Sequence, residues 1–277
     1  MPEVELSAGT VEYTDTGGRG PVLVFLHGLT MDGTVWRHVV DRLRDNYRCI
    51  LPTLPLGGHR RPMNQDADLS LTGLGHLIGE FLEAADLHEV TLVQNDWGGA
   101  QMLIAVGSVD RVARLVITSS EAFENYPPRP ARPLSVAAHI PGGLFLVMQA
   151  LRLRAVRRAP GGWGWMSKRP VPKEVMDAWF RPATTNRQVR RDLGKYARSV
   201  PSRTVLLELA RRSERFERPV LIVWAVEDRM MPVDHGRRLA RLFPDARFVG
   251  ITDSYTLIPE DQPDELARAI AEFVDST

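Results

Sequence analysis

The chain has 277 residues, of which 44% are hydrophobic and 25% are charged, with 22 glycines and 20 prolines spread along it. This composition excludes the collagen-like, disordered and disulfide-stapled classes and fits one large α/β domain. The 35 basic and 34 acidic residues nearly cancel, so no net charge favours nucleic acid or a membrane as the partner. A single cysteine and an acidic amino terminus without an apolar leader predict a cytoplasmic protein.

Apolar runs alternate with amphipathic segments in chain order. The predicted strands cover Glu3–Leu6, Val11–Thr14, Val22–Leu26, Arg48–Leu51, Val90–Val93, Leu115–Thr118, Pro219–Trp224 and Ala246–Ile251. The predicted helices between them cover Trp36–Tyr47, Leu71–Ala85, Ala100–Val106, Asp234–Leu242 and Pro263–Val274. Strands separated by helices predict an α/β fold with a doubly wound, mostly parallel sheet of about eight strands.

The segment 121–215 differs from the chain on both sides, and we predict that it is a helical, basic cap inserted into a core formed by residues 1–120 and 216–277. It contains 19 basic and 7 acidic residues, whereas the rest of the chain has a surplus of acids. Two interpretations stay open: arginine-rich faces that dock on an acidic body, or a basic lid that attracts an anionic substrate or an acidic carrier protein. The predicted cap helices lie near Leu134–Val156, Lys173–Phe180, Asn186–Ser199 and Thr204–Arg212.

The stretch VTLVQNDWGGAQ is the most informative motif, because a strand runs directly into a polar residue, two glycines and a helix. This layout is typical of a nucleophile elbow, a sharp turn that exposes its central side chain above the sheet. Asp96 is the central residue. A carboxylate in this position can attack carbon and form an ester without a base to activate it. The alternative is an ordinary helix N-cap aspartate.

Two further motifs also follow strand ends. His27-Gly28-Leu29 follows the third strand, and the backbone N–H groups of Leu29 and Trp97 are predicted to form an oxyanion or leaving-group pocket. Asp228 follows the seventh strand, where the acid of a catalytic triad is expected; the alternative is an aspartate that forms a turn. Three such matches in chain order favour a catalytic site.

Together these motifs resemble the α/β-hydrolase family, and within it the branch of haloalkane dehalogenases and epoxide hydrolases. The resemblance extends over essentially the whole chain and includes Trp36, the elbow Asp96-Trp97-Gly98-Gly99 and the closing segment EDQPDELARAI. It implies that Asp96 attacks a carbon bearing a halide or an epoxide oxygen, and that the indole N–H of Trp97 helps to hold a halide. No metal cluster, phosphate loop or nucleotide motif is present, so we expect neither a metal nor a cofactor.

The sequence departs from this family at the catalytic histidine, which follows strand eight in a Gly-His pair. Alignment of the EDQP segment places Tyr255 in the glycine position and Thr256 in the histidine position. Threonine cannot activate water, so an alkyl ester on Asp96 would persist. Glu121, at the end of strand six, stands where some dehalogenases have their triad acid. We predict that Asp96 and Glu121 face one cleft, where their pKa values would separate into one acid and one base.

The predicted substrate pocket also includes His27, Trp36, Tyr126, Tyr255 and Thr256. The expected partner is a small-molecule substrate, with an anionic or carrier-bound substrate as the alternative that the basic cap suggests. Neither nucleic acid nor a membrane is expected, and the sequence leaves the oligomeric state open.

Three functions stay open. The first, which the family resemblance favours narrowly, is a hydrolase of a haloalkane, an epoxide or an ester-like substrate that uses Asp96 and a water activator other than histidine. The second is a biosynthetic cyclase, isomerase or lyase, in which Asp96 acts as an acid, a base or an electrostatic stabiliser. The third is a ligand binder without catalytic activity.

Overall fold

Eight strands form one sheet in the computed structural model, which describes all 277 residues. The order across the sheet is β1-β2-β4-β3-β5-β6-β7-β8, with antiparallel pairing of β1 with β2 and of β2 with β4 and parallel pairing elsewhere. This confirms the doubly wound α/β fold. The strands are β1 (Glu3–Leu6), β2 (Gly9–Asp15), β3 (Val22–Leu26), β4 (Arg48–Pro52), β5 (Val90–Asp96), β6 (Val112–Ser120), β7 (Val220–Ala225) and β8 (Ala246–Ile251).

Twelve α-helices accompany the sheet, and six of them follow one another between β6 and β7. The helices outside that segment are α1 (Arg37–Leu43), α2 (Leu71–Ala84), α3 (Gly99–Val106), α10 (Val233–Leu242), α11 (Ile258–Asp261) and α12 (Pro263–Asp275). The helices between β6 and β7 are α4 (Arg132–Ala138), α5 (Gly143–Ala150), α6 (Arg154–Arg158), α7 (Lys173–Thr185), α8 (Arg187–Arg198) and α9 (Arg203–Arg211). We call these six helices and their connections the cap helices.

The central strands place four chain segments at one edge of the sheet. Every residue of β5 and β7 is buried, as expected for parallel strands that are covered on both faces by helices. Because β3, β5, β6 and β7 run in parallel, their carboxyl ends meet at the same edge. Asp96 is the last residue of β5, and the residues that follow the ends of β3, β6 and β7 include Leu29, Glu121 and Asp228.

The single helix expected over Leu134–Val156 is wrong, because the structure has three short helices there, α4, α5 and α6. Gly142 separates the first two with φ of 76°, a left-handed conformation that glycine adopts readily. Pro141 precedes it and has no backbone N–H to continue a helix. The apolar periodicity across these residues spans a break that the Pro-Gly-Gly sequence could have indicated.

Side-chain hydrogen bonds join the cap helices and their connections to the rest of the chain. The indole of Trp163 donates to the Leu29 carbonyl over 2.9 Å, and the indole of Trp179 donates to Thr34 Oγ1 over 2.8 Å. Asp192 in α8 is fully buried and accepts the Met63 N–H over 2.9 Å. No helix combines the length and the apolar character needed to cross a bilayer.

Candidate functional site

Asp96 lies at the bend between β5 and α3. It has φ of 64°, in the left-handed region that residues other than glycine rarely adopt. Such strain persists where the surrounding structure enforces it, and here the Glu121 N–H donates to the Asp96 carbonyl over 2.8 Å. The bend ends the strand and directs the Asp96 carboxylate into a pocket beneath the cap helices.

The loop after β3 contacts the Asp96 carboxylate directly. Gly28 is required there because a Cβ atom at this position would overlap the carboxylate. The Leu29 N–H donates to Asp96 Oδ2 over 3.2 Å, as the oxyanion interpretation predicts. The second predicted donor is engaged elsewhere, because the Trp97 N–H donates to the Asn95 carbonyl over 2.7 Å. One backbone donor therefore contacts the reactive carboxylate in this structure.

Glu121 is a second carboxyl group in the same pocket and is half-buried. Its Oε2 atom is buried and has no hydrogen-bond partner. Burial first, and then the charge of Asp96, hold the pKa of Glu121 well above its usual range, with a small opposing effect from the Tyr196 hydroxyl. Burial raises the pKa of Asp96 to about 7; the Leu29 N–H opposes the shift and the charge of Asp228 adds to it. Both shifts favour the protonated form, and Asp96 is close to its titration midpoint at neutral pH.

Asp228 is hydrogen-bonded to Thr256, the residue that the sequence alignment predicts in the histidine position. Thr256 Oγ1 donates to Asp228 Oδ1 over 2.8 Å, and the N–H groups of Met230 and Met231 donate to the same oxygen over 2.8 Å each. Asp228 Oδ2 is buried without a partner. Burial raises the pKa of Asp228, although these donors partly offset the effect. Asp228 therefore accepts three hydrogen bonds at one oxygen, from one hydroxyl and two backbone N–H groups, and none from an imidazole.

No histidine replaces that imidazole. None of the seven histidines lines the pocket or hydrogen-bonds Asp96, Glu121 or Asp228. His27 is fully buried; its Nδ1–H donates to the Gly28 carbonyl over 2.8 Å and its Nε2 accepts the Leu54 N–H over 2.8 Å. Burial lowers the pKa of His27, which favours the neutral ring, and its two hydrogen bonds stabilise the turn.

The pocket itself has a volume of about 330 Å³ and an apolar wall. Its charged or titratable groups are Asp96 and Glu121. The cap helices and their connections supply most of the lining, including Pro128, Leu134, Val147, Leu151, Trp163 and Met166. No three His, Cys, Asp or Glu side chains converge there or elsewhere as a metal site. The arrangement suits a small uncharged substrate that reacts with a carboxylate.

The whole-chain comparison is consistent with this geometry. A sequence model described as the alpha/beta hydrolase fold matches residues 21–263. The chain belongs to the α/β-hydrolase fold family. It is 28% identical to haloalkane dehalogenase 2 of Mycobacterium tuberculosis strain H37Rv, a match covering 96% of this chain and 92% of the relative.

Two further similarities extend this α/β-hydrolase assignment. The chain is 27% identical to a cis-3-alkyl-4-alkyloxetan-2-one decarboxylase of Xanthomonas campestris pv. campestris, again over 96% of this chain and 92% of the relative. The crystal structure of wild-type DBJA superposes with a TM-score of 0.79 at 17% identity, covering 99% of this chain and 98% of that one, which shows a shared fold. The chain is an enzyme of the α/β-hydrolase superfamily, related to haloalkane dehalogenases and to alkyl-oxetanone decarboxylases.

Most of the pocket residues predicted from the sequence lie elsewhere in this α/β-hydrolase. His27 is engaged in the turn described above, and Trp36 is fully buried against Phe25, with its indole N–H donating to the Leu26 carbonyl. Tyr255 packs on the guanidinium of Arg229, with 4.0 Å from Cζ to the ring centroid. Thr256 is buried against Asp228. None of these four side chains lines the pocket that contains Asp96, so their role in substrate binding stays a prediction.

Tyr126 lies beside the pocket, in a small adjoining cavity that Glu121 and Tyr196 also line. The rings of Tyr126 and Tyr196 meet edge to face with centroids 6.1 Å apart. Burial holds the pKa of each phenol well above its ordinary value, so both hydroxyls stay protonated. Tyr196 was not among the predicted site residues, because its helix position in α8 has no motif around it.

Asn95 is a supporting residue that the sequence analysis missed. Its amide nitrogen donates to Thr118 Oγ1 over 2.9 Å and to the Thr256 carbonyl over 2.8 Å. It therefore ties the elbow strand to β6 and to the segment after β8. The available signal was an amide side chain inside a buried parallel strand, where apolar residues are the rule.

Proposed function

We propose that the chain is a lyase that opens a strained, uncharged ring in an apolar substrate through Asp96 and completes its turnover without hydrolysing an ester. The observation that carries this proposal is the carboxylate itself: Asp96 stands on a strained bend, accepts the Leu29 N–H and faces an apolar pocket in which no imidazole is available. Thr256 stands where the hydrolytic base would be. A reaction that consumes no water removes the need for that base.

The similarity to alkyl-oxetanone decarboxylases supports a specific substrate class, the 3,4-dialkyl oxetan-2-ones. In the first step the Asp96 carboxylate forms a C–O bond to ring carbon C4 while the bond between C4 and the ring oxygen breaks. The product is an ester on Asp96 that carries a free carboxylate on C3. The neutral acid of Glu121 donates a hydrogen bond to the departing ring oxygen.

The second step restores the enzyme. The bond between C3 and the carboxylate carbon breaks, its electron pair forms the C3=C4 double bond, and the bond from C4 to Asp96 breaks at the same time. Carbon dioxide and an alkene leave, and Asp96 is again a carboxylate. All atoms of the oxetanone are accounted for without water, a metal or a redox cofactor.

The split between the two carboxyl groups supports these roles. Burial raises the pKa of Asp96 to about 7, and burial and the charge of Asp96 hold the pKa of Glu121 well above its usual range. In the proposed reaction Asp96 reacts as the anion, and its negative charge favours the protonated form of Glu121, which donates. The apolar lining favours a substrate with alkyl chains, because polar parts would lose water there without new partners.

The test is a product analysis with a cis-3,4-dialkyl oxetan-2-one in water enriched in oxygen-18. We expect an alkene and carbon dioxide, with no oxygen-18 in any organic product, and loss of the reaction in Asp96→Asn. Release of an oxygen-18-labelled 3-hydroxy acid by the wild-type protein would contradict the proposal, because that product requires hydrolysis.

A second candidate is displacement of halide from a haloalkane, the first half of a dehalogenase reaction. Two observations favour it: the similarity to haloalkane dehalogenase 2, and the Trp97 indole N–H, which is buried next to Asp96 in sequence and has no hydrogen-bond partner. Without a base for the second half, this reaction would stop with the alkyl group on Asp96. Counting halide released per protein molecule distinguishes it from a complete hydrolase.

A further inference from the structure

The cap helices carry a second concave site, separate from the pocket that contains Asp96. It is a groove of about 900 Å³ between α8 and the turn that joins α4 to α5. We call it the arginine groove, because four of its lining residues are arginines and none is Asp or Glu. The arginines are Arg187, Arg190, Arg191 and Arg198.

Only one of these four guanidinium groups has a carboxylate partner. Arg191 pairs with Asp192 over 2.7 Å. Arg190 and Arg198 donate to the main-chain carbonyls of Ala183 and Ala138, over 2.9 Å each, and no acid lies within ion-pair distance of them or of Arg187. Burial, and then the charge of Arg187, lower the pKa of Arg190. Three uncompensated cations therefore line one groove.

The same groove has an exposed apolar wall. Ile140 is 56% exposed and Phe145 is 46% exposed, both unusual for large apolar side chains. The guanidinium of Arg190 lies over the Phe145 ring, with 5.1 Å from Cζ to the centroid. The guanidinium of Arg190 and the Phe145 ring thus form one continuous surface. A single bound molecule can place a charged group on the first and an apolar group on the second.

The apolar wall of the groove comes from a stretch of sequence without acids. Residues 125–173, which include lining residues 138–145, contain no Asp or Glu. Exposed arginines on a helix are usually paired with acids three or four residues away. Arg187, Arg190 and Arg198 lack such an acid partner, so their charges are available to an external anion.

We propose that the arginine groove binds organic phosphates that carry an alkyl chain, with the phosphate on Arg187, Arg190 and Arg198 and the chain along Ile140 and Phe145. Guanidinium groups present paired N–H donors that match phosphate oxygens, and a phosphate monoester carries up to two negative charges. A bare inorganic anion would leave the apolar wall unused. This site is independent of the function proposed for Asp96.

Isothermal titration calorimetry with dodecyl phosphate, below its critical micelle concentration, tests the proposal. We expect binding by the wild-type protein and a Kd more than about tenfold higher in the double variant Arg187→Gln/Arg190→Gln. The matched control is Arg19→Gln/Arg241→Gln, which removes the same charge from exposed positions outside the cap helices; its Kd should change less than about twofold. Equal weakening in both double variants, or no binding by the wild type, would overturn the proposal.

Two further arms test the ligand chemistry and its source. Dodecyl maltoside, which has the same chain without charge, should bind far more weakly than dodecyl phosphate; equal binding would overturn the proposal.

Sedimentation with vesicles of phosphatidylglycerol and phosphatidylcholine, compared with phosphatidylcholine alone, distinguishes a lipid headgroup from a free phosphate. Capture by the anionic vesicles that is lost in Arg187→Gln/Arg190→Gln supports a lipid source, whereas binding of the monomer alone supports a free ligand.

Discussion

Thr256 Oγ1 donates a hydrogen bond to Asp228 Oδ1 over 2.8 Å, which joins the segment after β8 to the segment that follows β7. The second oxygen of Asp228 is buried and has no partner. The partner of Asp228 is thus a hydroxyl, which cannot act as a base near neutral pH. On this ground we predict that the site allows attack by Asp96 but lacks a group that activates water.

Replacement of Thr256 by His tests whether the remaining site is competent for hydrolysis. We expect Thr256→His to release an alkyl group from Asp96 that the wild-type protein retains, because an imidazole oriented by Asp228 can activate water. Thr256 is fully buried, so the larger ring is expected to lower the free energy of unfolding by about 1–3 kcal/mol. The measurement is single-turnover release of the alcohol.

Thr256→Val is the control for this experiment. It removes the hydroxyl and supplies no base, so it should lose the bond to Asp228 and stay inactive in ester release. A folded Thr256→His variant that also retains the alkyl group would show that the missing histidine is not the limiting feature.

Glu121→Gln tests the proposed acid. Burial and the charge of Asp96 hold the pKa of Glu121 well above its usual range, which favours the neutral side chain that glutamine imitates. We expect little change in the free energy of unfolding but a drop in alkene formation of about 100-fold, because the amide is a far weaker acid. Alkene formation within about twofold of wild type, measured across pH 6–9, would remove Glu121 from the reaction.

The pH dependence of stability tests the environment of Asp96. Burial raises its folded-state pKa to about 7, above the value of about 3.9 expected for the unfolded chain. The folded state therefore binds more protons between about pH 4 and pH 7, and the free energy of unfolding falls as the pH rises through this window. Asp96→Asn should remove about 2–4 kcal/mol of that fall between pH 4 and pH 8.

Denaturant unfolding at several pH values provides this measurement. Asp45→Asn is the matched control, because the side chain of Asp45 is exposed and its replacement should leave the wild-type profile unchanged. Parallel pH profiles for Asp96→Asn and the wild-type protein would mean that the Asp96 carboxylate is solvated rather than buried.

The parts of this protein that the sequence predicts well are those governed by local pattern. The buried runs of β3, β5 and β7 and the Gly-rich turn after Asp96 each have a signature within about ten residues. Because these strands pair in parallel, Leu29, Asp96 and Glu121 lie at one edge of the sheet. The predicted strands are therefore enough to predict that these residues lie close together.

The residues that form the pocket wall could not be predicted from such local patterns. Trp163 reaches the pocket because its indole bonds the Leu29 carbonyl, a contact between residues 134 positions apart. Conversely, His27 and Trp36 belong to the correct motifs but pack inward, since the bonds to Gly28, Leu54 and Leu26 fix their rings. Whether the side chain of a motif residue faces the pocket or the core depends on contacts with residues far away in the sequence. A short stretch of a single sequence does not reveal those contacts.

The central claim is that Asp96 attacks carbon and that no nearby group activates water to hydrolyse the resulting alkyl ester. A butyl ester, which has no carboxylate to lose as carbon dioxide, should therefore persist. The most direct test of this claim is intact-protein mass spectrometry after incubation with 1-bromobutane, with bromide release measured in parallel. We predict one butyl group per protein molecule, mapped to Asp96, persisting after the reagent is removed, with bromide release stopping at one equivalent. Continuous release of bromide with butan-1-ol, or a protein that stays unmodified at Asp96, would contradict the account.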